Sequence, residues 1–196
     1  MSAVPMLLTE EAVRLLVVMR ADFQTFPTTP PRGRIFSVGG GPLGVYDADQ
    51  VRAQSEYLRI VSIVEAYIDA CSDELLRAGS LGLGELVDKL VAEASERASD
   101  SWDRRKTAFR DYHGVNMGTC DGWEVIDQAI QVRNAIAHGL GRLTLRQRNQ
   151  RSIQKIAKSG VLLSGDRVRI PRGAIERNYD ASIRFVKSVD RAIRAR

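Results

Sequence analysis

Arg133, Asn134 and His138 stand in the run Arg-Asn-Ala-Ile-Ala-His-Gly, residues 133–139. An imidazole takes or gives a proton near neutral pH, and a guanidinium grips phosphate oxygens in a rigid fork. RNA carries its own nucleophile in the 2′-hydroxyl. A site that cleaves it therefore needs an acid/base group, plus positive charge on the phosphate as the transition state develops. On this chemistry His138 is assigned to proton transfer, Arg133 to the phosphate, and Asn134 to orienting the imidazole or bonding the substrate. The plainer reading has His138 capping a helix and Arg133 in a surface salt bridge.

The element that positions these residues is expected to be a helix over residues 121–141, with Asp121 as its N-cap and Trp123, Ile126, Ile130 and Ala137 along its apolar seam. Gly139 and Gly141 are expected to end it, since glycine most easily takes the left-handed conformation after a helix. Near that end the helix dipole favours a charged imidazole. Asn134 and His138, four apart, share a face; Arg133 lies about 140° round the axis from His138. One helix does not easily focus all three, whereas two facing copies can, which gives a dimer a physical reason.

The motif in this setting resembles the HEPN superfamily (higher eukaryotes and prokaryotes nucleotide-binding), whose hallmark is Arg, then a polar residue, then a His four to six positions on. Here those are Arg133, Asn134 and His138. The order of elements, with a long helix around Glu65 ahead of the motif, fits more loosely. The resemblance implies an all-α, HEPN-like helical bundle that pairs as a homodimer, joining two motif helices in one composite cleft. It also implies a ribonuclease that needs neither metal nor cofactor and leaves a cyclic phosphate end. Such proteins are often toxins or effectors of bacterial and antiviral defence, with an antitoxin or other defence protein as partner. Members controlled by a nucleotidyltransferase carry Tyr two residues after the His; Leu140 stands there in this chain, so that control is not expected. The alternative is a non-catalytic module of the same fold that binds nucleic acid or serves as a dimerisation scaffold. A third reading, a basic DNA-binding protein, lacks a helix-turn-helix spacing.

Charge adds a second argument for a polyanionic partner. Residues 142–196 hold fifteen Lys/Arg against four Asp/Glu, while the rest of the chain is net acidic. Arg142, Arg146 and Arg148, just past the motif, are expected to guide the RNA backbone. Glu65 sits at the edge of an apolar stripe, where a carboxylate is costly unless paired. It either holds Arg133 or Arg20, or points to water, the commoner fate of an edge residue. Trp102 and Trp123 are expected in the core or a dimer seam rather than as base-stacking platforms, and His113 as a plain surface histidine.

At 196 residues the chain suits a single domain over 1–196. The Gly39–Gly41 run lacks the Gly-Lys-Ser/Thr ending of a phosphate-binding loop. No apolar run approaches a bilayer span and the first residues lack the pattern of a signal peptide, so a cytoplasmic protein is expected, with no membrane partner. Cys71 and Cys120 have no metal-ligand spacing and are read as free thiols.

Helices are expected from Thr9 to Phe26 with Thr9 as cap and Val13, Leu16, Val17 and Arg20 at helical spacing. Others are expected from Asp47 or Asp49 to Arg77, as the long central helix, from Leu83 to Asp100 with Leu86, Leu90, Val91 and Ala94 on one face, and from Trp102 to Tyr112. An irregular loop is expected over 27–47, with room for a short hairpin at Arg34–Val38. After the motif come a basic helix over Leu143–Ser159, a small hairpin near 161–170 turning at Gly165-Asp166, and a last helix over Gly173–Arg194 with Ile175, Tyr179, Ile183, Val186, Val189 and Ile193 inward.

Overall fold

A computed structural model describes residues 4–26, 35–38, 41–45 and 47–196. Helix α1, Val4–Thr25, begins ahead of the expected cap. Thr9 lies inside it, and its hydroxyl meets the Tyr67 hydroxyl at 3.1 Å instead of closing a helix end. The face turned inward carries Thr9, Ala12, Leu16 and Met19, while Val17 is exposed. Strands β1, Ile35–Val38, and β2, Gly41–Val45, pair antiparallel; the other positions of the loop expected over 27–47, residues 27–34, 39, 40 and 46, lie outside the described residues apart from Asp47.

Helix α2, Ala48–Ser80, is the long central element. Asp47 caps it, accepting from the Gln50 backbone N–H at 3.1 Å, so one orphan donor of the first turn is satisfied. It packs on α1 and on four later helices: α3, Glu85–Ser99, α4, Trp102–Asp111, α5, Trp123–Gly139, and α7, Arg172–Arg194. Its apolar positions recur at helical spacing and feed two buried clusters. Tyr57, Ile60 and Val61 join Leu16, Val132, Ile175 and Tyr179; Val64, Ile68 and Cys71 join Phe109, Ile126, Phe185 and Val189. Burial of this kind contributes about 1.5–3 kcal/mol per large side chain. On α7 the inward set holds Ile175, Tyr179, Val186 and Val189 as expected, with Phe185 added and Ile183 and Ile193 only half-buried.

The expected single helix over Leu143–Ser159 is two pieces, a 3₁₀ turn at Leu145–Gln147 and α6, Gln150–Lys158. Gln147 causes the break. Its side chain is buried, with the amide nitrogen on the Gln131 carbonyl at 2.6 Å and the amide oxygen taking the Thr144 N–H at 3.2 Å. Asn149 then opens α6 by accepting from the Ser152 N–H at 2.9 Å. The hairpin β3, Leu162–Ser164, and β4, Arg167–Arg169, turns at Gly165-Asp166 as expected. The described chain is therefore mostly helical with two small hairpins. Among the described residues no helix is long and apolar enough to cross a membrane.

Candidate functional site

Helix α5 does not start on an Asp121 cap. Gly122 precedes its first turn at φ 86°, without a side-chain cap, and a Cβ there would stand 2.3 Å from the Ala181 carbonyl oxygen. Close approach of α7 thus sets the start, which demands glycine. Asp121 is exposed, with its N–H on Ser188 Oγ at 3.0 Å and its carboxylate 3.4 Å from Arg184. At the other end the left-handed residue is neither expected glycine alone. Leu140, at φ 50°, ends the helix while 92% exposed, and Gly141 follows at φ 80°.

Between these ends one side of α5 is sealed into the core through Ile126, Ala129, Val132, Ala135 and Ile136. Another row, spaced by three or four residues, runs Trp123, Asp127, Gln131, Asn134 and His138 along an open cleft of about 650 Å³. Ala137, placed on the seam by its spacing, is exposed. The cleft's walls come from the start of α4 (Trp102, Arg105, Lys106), from Glu65 on α2, and from Arg151, Ser152 and Lys155 on α6.

Arg133, Asn134 and His138 all line this one cleft of one chain. Arg133 reaches it although it leaves the helix about 140° round the axis from His138. Arg133 Nη1 donates to Asn134 Oδ1 at 3.3 Å, and its Nη2 lies 3.6 Å from Glu65 Oε2. Asn134 thus steadies the guanidinium rather than the imidazole. Glu65 does not point to water: its side chain is 15% exposed, and its other oxygen accepts the Trp102 indole N–H at 2.8 Å. Nor does it hold Arg20, whose guanidinium sits on Glu176 at 2.7 Å and Asp180 at 2.6 Å. Glu65 therefore ties three helices together at the arginine. His138 is exposed on the last turn, and among the described residues its ring has no hydrogen-bond partner. A cleft lined by an accessible imidazole and an anchored guanidinium can move a proton and hold an oxyanion.

The arginines expected to guide a backbone turn elsewhere. Arg142 and Arg148 both reach Asp166, at 3.2 and 3.7 Å, and neither they nor the exposed Arg146 line the cleft. The physical reason is the break at Gln147, which redirects the chain so that α6 brings Arg151 and Lys155 to the cleft instead. These two are four apart on α6, a spacing legible once the helix is started at Asn149. Lys155 pairs with Asp127 at 2.6 Å, Lys106 with Asp103 at 3.4 Å, and Arg105 lies in a bidentate grip on Asp69 at 2.8 and 2.7 Å. Among the described residues Arg151 is the cleft cation without an ion pair. Five Lys/Arg and four Asp/Glu line the cleft, so its field is nearly balanced despite the basic C-terminal third.

Trp102 and Trp123 lie at the border of the second core cluster, as expected, yet both also line the cleft, with ring centroids 5.9 Å apart. His113 is no plain surface residue. It is half-buried, its Nε2 stands 2.9 Å from Ser72 Oγ, and burial, then the Arg196 charge, holds its imidazole below the usual value. It does not line the cleft. Cys71 and Cys120 are buried free thiols, and burial pushes the Cys71 thiol up to about 12, which makes it a poor nucleophile. Among the described residues no group of three or more His, Cys, Asp or Glu is placed to hold a metal ion. No protein-family model, no curated protein and no solved structure matches the chain.

Proposed function

We propose that the cleft cleaves RNA as a metal-independent endoribonuclease of HEPN type. The supporting observation is the pairing of Arg133 with Glu65 at 3.6 Å and Asn134 at 3.3 Å, in the cleft that the exposed His138 also lines. In this reading His138 removes the proton from a 2′-hydroxyl, the freed oxygen forms a bond to the adjacent phosphorus, and the bond from phosphorus to the 5′-oxygen breaks. The leaving 5′-oxygen takes up the proton that His138 holds, and the products are a 2′,3′-cyclic phosphate and a 5′-hydroxyl. Arg133 spreads the charge that develops on the non-bridging oxygens, and Glu65 keeps its guanidinium from swinging out to solvent. In a cell, uncontrolled cleavage of this kind suits a toxin or defence effector restrained by a partner protein.

A second reading, a nucleic-acid-binding or scaffold module without catalysis, is favoured by the Lys/Arg excess over residues 142–196 lying mostly outside a cleft whose own charge is nearly balanced. Incubation of purified protein with end-labelled RNA in EDTA separates the two. The expected result is fragments carrying cyclic phosphate ends, with His138→Ala slower by on the order of 10²–10⁴-fold and Arg133→Ala similarly impaired. RNA that stays intact with excess wild-type protein would sink the nuclease reading; RNA retained but uncut would establish the second.

A further inference from the structure

Trp102 and Trp123 are the two tryptophans of the chain, and both line the cleft. Trp102 is the first residue of α4 and Trp123 the first of α5; their ring centroids stand 5.9 Å apart with the planes tilted by 56°. Both are half-buried, so each indole is part core and part cleft wall. Trp123 is braced from the core by Phe185, whose ring centroid is 5.6 Å away. The Trp102 indole N–H is already given to Glu65 at 2.8 Å. Its nitrogen is a donor only, so what Trp102 still offers the cleft is ring surface.

The charges around the rings are mixed. Lys106 Nζ lies 5.5 Å from the Trp123 ring centroid and the Arg105 guanidinium 5.6 Å from that of Trp102, while Asp100 and Asp103 line the same part of the cleft. Net charge alone therefore does not draw a polyanion to this end; ring contact has to. Glu65, which takes the Trp102 N–H, also lies 3.6 Å from the Arg133 guanidinium, so a single carboxylate separates the indoles from the group assigned to the phosphate. Arg151 enters from α6 with no ion pair among the described residues. Aromatic faces set one side chain away from a phosphate-gripping cation are the parts of a nucleotide seat, rings for the base and guanidinium for the backbone.

We propose that Trp102 and Trp123 form a base-stacking subsite, which seats one unpaired base next to the phosphate held by Arg133; this rests on the reading of the cleft as an RNA site. In a duplex both faces of a base are covered by its neighbours, so the indoles meet only a base that has left its stack. A cleft of about 650 Å³ has the size of a small-ligand site, with room for a short piece of single strand and not for a double helix. Recognition through ring faces selects by ring area, which favours purines over pyrimidines. The tryptophans thereby set where along a strand the cleft settles, while His138 and Arg133 act on the bond.

Filter binding with end-labelled 2′-O-methyl oligonucleotides, which lack the attacking hydroxyl and stay uncut, reads the subsite apart from the chemistry. Wild-type protein is expected to bind oligo(A) several-fold tighter than oligo(U), and on the order of tenfold tighter than an abasic strand of equal length. Trp123→Leu keeps apolar bulk at the core border without a ring. It is expected to bind oligo(A) on the order of tenfold more weakly and the abasic strand as wild type does, with Trp123→Phe between the two and circular dichroism as the control for folding. If Trp123→Leu does not fold, the wild-type comparison of oligo(A) with the abasic strand decides alone. Wild-type binding that is absent, or blind to the presence of bases, overturns the subsite, and so does a folded Trp123→Leu protein that binds oligo(A) like wild type. Where unmodified RNA is still cut, such a result removes the subsite and leaves the ribonuclease reading; base-dependent binding lost in Trp123→Leu without any cleavage does the reverse.

Discussion

Helices α3 and α5 live under opposite conditions in one molecule. α5 hides seven of its seventeen residues between α2, α6 and α7, and lines the cleft with Arg133, Ile130 and the row from Trp123 to His138. α3 hides one residue of fifteen, rests on α2 and α4, and turns its leucines to the outside. The first helix is held on several sides, which is what a group must have if its position is to be kept within the narrow tolerance that catalysis demands. The second is held from behind only, and what it offers is surface.

The sharpest way to break this contrast is to cut a side chain from each helix. Ile126→Ala, at a fully buried position of α5, is expected to cost about 2–5 kcal/mol in urea unfolding. A smaller change tests the end of the same helix. Leu140 takes a left-handed backbone that a glycine takes freely, so Leu140→Gly is expected to raise stability by about 1 kcal/mol, seen as a higher urea midpoint at unchanged slope. The smallest effect belongs to α3. In dilute protein Leu90→Ser is expected to shift unfolding by no more than about 0.5 kcal/mol. A loss as large as that of Ile126→Ala would mean that α3 carries the core after all.

The same two helices show what a sequence can disclose. Apolar periodicity placed both, along with α2 and α7, because a stripe at helical spacing has to be covered by something. It does not say by what, and Leu86 and Leu90, placed on one face by their spacing, are exposed. The motif residues on α5 were legible from type and spacing. The hold of Glu65 on Arg133 was not, since it joins helices far apart in sequence. Glu65 looked like an edge residue because its partners, Trp102 and Arg133, are 37 and 68 positions further on. Arg142 and Arg148 fall outside the cleft for the opposite reason. They are near the motif along the chain, but the buried Gln147 and its bond to the Gln131 carbonyl turn that segment aside. Local signals place helices; contacts between distant residues decide which side chains share a cleft.

The bond from the Trp102 indole to Glu65 has a practical side. It couples an intrinsic fluorophore through one carboxylate to the guanidinium on which the proposed chemistry rests. The cleft therefore comes with its own optical probe, one that would register a loosening of Arg133 from Glu65 without a label, a substrate or a turnover.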